Sequence, residues 1–90
     1  METFIDRDGD YLDWVKNNPR GFVVNCERSP RPNYLILHLT ICWTITKRKG
    51  REGHWTKDYI KVCSLNRYEL EIWARKEVGG QLQPCRFCNP

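Results

Sequence analysis

One stretch limits this chain more than any other: "NYLILHLTICWTITK", in which every second residue from Leu35 is apolar. Leu35, Leu37, Leu39, Ile41, Trp43 and Ile45 make that series, and Tyr34, Ile36, His38, Thr40, Cys42 and Thr44 fill the alternate positions. Successive side chains of a strand point to opposite faces, so alternation of this length means a strand, or two strands joined by a tight break. The odd face is expected in the core, and the even face presents His38 and Cys42. "GFVVNC" over 21–26 and "YIKVCS" over 59–64 read as further strands, rich in β-branched residues. Alternation in "GFVVNC" sets Cys26 with Phe22 and Val24, as a small buried apolar residue.

Two stretches carry helical signals instead. "RDGDYLDWVKNNPRG" reads as a short helix that Asp8 or Asp10 can cap and "NNPRG" breaks. "LNRYELEIWARKEVGG" reads as a longer one, with Asn66 and Glu69 as a capping box and Gly79-Gly80 as its end. Leu70, Trp73, Ala74 and Glu77 or Val78 form its inward stripe. The expected fold is one α+β domain over residues 1–90. It has a small antiparallel sheet of three to four strands, a short N-terminal helix and a helix in the C-terminal half.

A chain of 90 residues supports only a small core, which invites a staple. Five cysteines are available for one. "METFIDRDGD" has neither a basic segment nor an apolar run, so it does not read as a secretory signal. No stretch approaches the roughly 18 apolar residues of a membrane helix. A cytoplasmic location is expected, where reducing conditions disfavour structural disulfides. Metal binding is therefore the expected use of most of the cysteines.

Cys85 and Cys88, in "PCRFC", have the spacing that grips a metal from one side. Cys42 and Cys63, each near a strand end, complete a set spaced Cys42-x20-Cys63-x21-Cys85-x2-Cys88. Four cysteine ligands around Zn2+ make a closed, structural site. His38 is the alternative ligand. On a continuous strand, residues four apart are separated by about 13 Å, too far to share one ion, and "HLTIC" has no Gly or Pro to force a turn. A zinc deaminase would need H-x-E or C-x-E upstream, and neither occurs. A thioredoxin-type pair must open a helix, which "CRFCNP" does not.

"KRKGREGHWTK" gathers Lys47, Arg48, Lys49, Arg51 and Lys57 around His54 and Trp55, and Arg28 and Arg31 lie in "ERSPRPN". Basic side chains neutralise phosphates, and an exposed aromatic stacks on a base. The net charge of +4 suits such contacts without requiring them.

The pattern "GFVVN-x-x-R-S-P-x-P-x-Y-L-x-L-H-x-x-x-C", followed by "Y-x-K-V-C", "E-L-x-x-W-A" and "C-x-x-C", spans Gly21 to Cys88. It resembles a small bacterial cysteine-rich module of poorly characterised function, some members of which belong to nuclease-like or restriction-like proteins. The resemblance marks His38, Cys42, Cys63, Cys85 and Cys88, and implies a polar surface of Asn25, Arg28 and Tyr34. It assigns no activity, and Leu39 departs from the basic or small residue expected after the histidine.

The leading expectation is a zinc-stabilised module, not an enzyme, that binds nucleic acid through Lys47, Arg48, Lys49, Arg51, Trp55, Arg28 and Arg31. It would serve as a reader domain of a bacterial defence or restriction-type system. The alternative is a structural or protein-interaction module with its contact surface around His38 and Tyr34. A small enzyme ranks last.

Overall fold

The computed structural model describes all 90 residues. The elements in order are β1 (Glu2–Phe4), α1 (Asp8–Asn17), β2 (Phe22–Glu27), β3 (Leu35–Leu39), a 3-10 turn (Trp43–Ile45), β4 (Tyr59–Ser64), α2 (Arg67–Trp73) and β5 (Gln83–Pro84). α2 runs on as a wider π-helical turn over Ala74–Val78. The strands form one sheet in the order β1-β4-β2-β3-β5. Every pairing is antiparallel except β5, which runs parallel to β3. The α+β class and both helices are as the sequence implies. The sheet is larger than expected, with β1 and β5 added at its edges.

Register divides the core in two. Rows Val24–Leu37–Val62 and Cys26–Leu35–Ile60 point to one face, where Leu70 and Ala74 of α2 cover them. Cys26 is fully buried there. The rows between point to the other face. His38, Val23 and Cys63 form one row, and Ile36, Asn25 and Lys61 the next. That face packs against α1 and residues 42–55, with Phe4, Tyr11, Val23, Ile45 and Trp55 buried between them.

Two joints hold the second layer in place. The Tyr11 hydroxyl donates to the Ile45 carbonyl at 2.7 Å, in a fully buried position. Asp8 does not cap α1 but begins it. Its carboxylate accepts from the Trp55 N–H, the Thr56 N–H and the Thr56 hydroxyl. Burial by itself would raise the Asp8 pKa; the Thr56 and Trp55 hydrogen bonds outweigh it and hold Asp8 below its ordinary value.

At α2 the expected capping box forms by half. Asn66 accepts from the Tyr68 N–H, but Glu69 takes the Ser64 hydroxyl instead of reaching back to Asn66. Gly79 closes the helix at φ 80. Gly80 then passes so close to Pro32 that a Cβ would stand 2.6 Å from its carbonyl oxygen.

The alternation from Leu35 to Ile45 is not all strand. β3 stops at Leu39, and Thr40 enters a turn. Its N–H donates to the Gly21 carbonyl and its hydroxyl to the Asn18 carbonyl. The Cys42 N–H then donates to the Leu39 carbonyl, closing a turn. Beyond that turn Ile41 is 70% exposed and Trp43 half exposed, while Ile45 is buried.

Candidate functional site

The turn after β3 decides the composition of the site. His38 sits near the end of β3, and the turn brings Cys42 back beside it. β5 pairs with Ile36 and Leu37, and the Cys85 N–H donates to the Leu37 carbonyl at 2.8 Å. Cys85 and Cys88 are thereby delivered to the same end of β3. The donor atoms of His38, Cys42, Cys85 and Cys88 all lie within 4.8 Å of one another. The Cys42 and Cys85 sulfurs are 3.9 Å apart, close to the ~3.8 Å edge of a tetrahedron with metal–sulfur bonds near 2.3 Å. This group could hold a metal ion.

The surroundings treat the sulfurs differently. The Phe87 N–H donates to the Cys85 sulfur and the Leu39 N–H to the Cys88 sulfur, each at 3.3 Å. At Cys85 burial pushes the pKa up, but backbone N–H groups of the Cys85–Cys88 turn pull it below the ordinary value. Burial and the neighbouring Cys42 sulfur push Cys88 up to about 12. Thiolates this close repel one another, and a divalent cation is what lets them ionise together. Burial, then the Lys61 charge, lowers His38 to about 4, so its imidazole is neutral and able to ligate. The Thr44 hydroxyl lies 3.0 Å from the Cys42 sulfur and 3.5 Å from His38 Nδ1.

Cys63 is the correction. It shares a row with His38, but Val23 of β2 stands between them in the register. Two strand spacings, about 10 Å, separate the backbones. Cys63 is fully buried and its thiol is pushed up to about 12 by burial. It is an inner-face core residue, and His38 takes the fourth place. The 13 Å separation expected of His38 and Cys42 fails because the strand ends between them.

Beside the cluster, on the same face of the sheet, lies a cavity of about 310 Å³. Ile36, Asn25 and Lys61, neighbours across β3, β2 and β4, form its floor. His38 and Cys85 form the wall shared with the metal cluster. Tyr34, Tyr59, Trp55 and Phe87 supply aromatic walls, and Arg48, Arg51 and Arg86 stand around it. Tyr34 and Tyr59 pack with ring centroids 5.5 Å apart.

Two floor groups are chemically unusual. The Asn25 Oδ1 is fully buried and has no hydrogen-bond partner. Lys61 is only 4% exposed and donates to the Trp55 carbonyl. Burial lowers its pKa to about 8, against the opposing influence of Cys26, Cys63 and Asp8.

The basic residues expected to bind nucleic acid are sorted by the fold. Arg48 and Arg51 line the cavity and take part in no ion pair, as is true of Arg86. Lys47 and Lys49 are exposed on the loop but lie outside the cavity lining. Arg28 is tied to Asp6 at 2.6 Å and Arg31 to Glu27 at 2.8 Å, also outside the cavity. Trp55 is 5% exposed, a wall and core residue instead of an exposed stacking platform. Trp43 and Phe87 are exposed and in edge contact at 5.5 Å, with Arg48 over Trp43. Sequence reasoning missed Lys61, because one lysine in a strand reads as an outward residue. Its place in alternation with Cys63, on the face opposite Ile60 and Val62, was the available signal.

No helix is long and apolar enough to cross a membrane. No protein-family model, curated protein or solved structure matches the chain, so the site itself must carry the functional argument.

Proposed function

We propose that the chain is a zinc-stabilised nucleic-acid-binding module. The observation that carries this reading is a concave, aromatic-lined pocket whose mouth holds three arginines with no acidic partner. A solvated basic loop would scatter such charges or pair them, as Arg28 and Arg31 are paired. Free guanidinium groups around aromatic walls are the chemistry of a phosphate-and-base site.

Three thiolates and one imidazole in tetrahedral reach suit Zn2+ best among common ions. All four positions are protein ligands, so the metal's role is to hold residues 38–42 against residues 85–88. The pocket wall formed by His38, Cys85, Arg86 and Phe87 depends on that clasp.

The test is titration of fluorescent single-stranded DNA and RNA at low and moderate salt, read by anisotropy. Binding should weaken steeply with salt. Replacing Arg48, Arg51 and Arg86 together by Ala should reduce the log–log salt slope by about 2, from roughly 0.7 per phosphate contact on a single strand. Absence of binding at low salt, or an unchanged slope in the triple variant, would overturn the reading. Metal analysis of the purified protein checks the zinc assignment separately.

A further inference from the structure

We propose that the pocket receives one unpaired nucleobase of a bound strand, its edge on Asn25 and Lys61 and its flanking phosphates on Arg48, Arg51 and Arg86. The proposal rests on the nucleic-acid reading above and adds what the pocket itself contacts.

The floor is matched to a base edge, not to an anion. The buried Asn25 Oδ1 lacks a donor, and a phosphate placed there would meet an acceptor with an acceptor. Lys61, directly across the β2–β4 pairing from Asn25, spends one N–H on the Trp55 carbonyl, lies 5.7 Å from the centre of the Tyr11 ring, and has no other hydrogen-bond partner. An ammonium carries three donors. The floor therefore offers an acceptor beside a donor. Each nucleobase presents the complement, an N–H next to a carbonyl or ring nitrogen, on its pairing edge. That edge is free only when the base is unpaired.

Size agrees. A cavity of about 310 Å³ lies at the small end of ligand pockets, which span roughly 300–1,000 Å³. It holds a single base and not a segment of duplex. Flat rings come from Tyr34 and Tyr59, packed together, and from Phe87, all in the lining. Outside, the exposed Trp43–Phe87 pair under Arg48 offers a second stacking surface for an adjoining base. Arg48, Arg51 and Arg86 are exposed, where the backbone of a strand would pass.

The experiment uses single strands about ten nucleotides long, abasic throughout except for one central A, C, G or T, and a wholly abasic control. At least one base should raise affinity about tenfold over the control, the size of one stacked and seated base. In Asn25→Leu that gain should disappear. Lys61→Met should lose it as well, and it serves alone if Asn25→Leu fails to fold by thermal melting and metal content. The same central base in duplex should bind more weakly than in the single strand.

The proposal is overturned if every base-bearing strand binds within about twofold of the control, or if the gain survives in both folded variants. Salt-dependent binding of the control would meanwhile leave the broader reading intact. Equal affinity for the duplex also overturns it. If free nucleoside monophosphates bind as tightly as the strands, the occupant is a free nucleotide and the strand-borne assignment is wrong. If no strand binds at low salt, the nucleic-acid reading fails first and this proposal fails with it.

Discussion

On the α2 side of the sheet, Val24, Leu37 and Val62 meet Leu70 and Ala74, and every buried residue is apolar or small. On the α1 side, rows one residue out of step carry His38, Asn25 and Lys61 together with Val23 and Ile36. The first face is sealed by a helix that the chain reaches directly after β4. The second is covered by a short helix and a long irregular segment, and it contains the His38, Cys42, Cys85 and Cys88 group and the cavity. One face rests on close packing; the other also has specific joints such as Tyr11 to Ile45 and, on the zinc reading proposed above, the clasp. A polar pocket can then exist inside a very small protein, because its walls are tied by something other than apolar contact.

Breaking the clasp should have the largest effect. Cys85→Ser is expected to lose both metal and cooperative folding. A structural zinc is worth about 10–16 kcal/mol in small zinc peptides, against total stabilities of about 5–15 kcal/mol. Metal analysis with thermal melting reads this out. Cys63→Ala should keep the metal, and His38→Cys should keep it with a fourth sulfur ligand. Loss of metal from the Cys63 variant with retention in His38→Ala would reverse the assignment.

Next in size is the sealed face. Leu37→Ala removes a fully buried side chain and should cost about 2–5 kcal/mol in denaturant unfolding. Metal content per folded molecule should not change, since Leu37 points away from the cluster. If the metal is lost in proportion, the two faces are less independent than their packing suggests.

Lys61 sharpens the contrast through pH. Its folded-state pKa of about 8 lies below the ordinary 10.5 because burial disfavours the charged form. Between those values the unfolded chain holds more of the Lys61 proton, so the Lys61 contribution to stability should rise with pH across that window and be flat below it. Cys26, Cys63 and Asp8 oppose the shift and Arg51 adds to it. Lys61→Met should flatten the rise and stabilise the protein at neutral pH by roughly 1–2 kcal/mol, after allowing for the lost hydrogen bond. Urea melts across the window check both signs. Cys26 and Cys63, raised by burial to about 11 and about 12, pull the other way above about pH 9 in both proteins. Equal pH dependence of wild type and Lys61→Met would therefore mean that the amine is hydrated.

The smallest effect is expected at Arg31. Its ion pair with Glu27 is exposed, so Arg31→Ala should leave the melting temperature and the salt slope of strand binding unchanged. A drop in strand affinity comparable to that of Arg51→Ala would move the binding surface away from the cavity.

Much of the fold was legible because it follows local periodicity. β2, β4 and both helices lie where alternation, caps and breakers put them, and Cys26 is buried as its parity requires. The site was legible only in part. Cys42, Cys85 and Cys88 could be chosen by element boundaries and spacing. His38 could not, because no residue in "HLTIC" announces the turn. The Thr40 hydroxyl anchors it to the Asn18 carbonyl, about twenty residues away in sequence.

The chain by itself determined which residues alternate, which stretches are helical, and that its cysteines are numerous enough to staple a small core. Those properties belong to neighbours along the backbone. Tertiary structure alone decided which face each row would join, and that β2 would separate Cys63 from His38. It also decided that Asn25 and Lys61 would lie side by side beneath three free arginines. Strand order and register set those distances, and they arise from packing between segments that are remote in sequence.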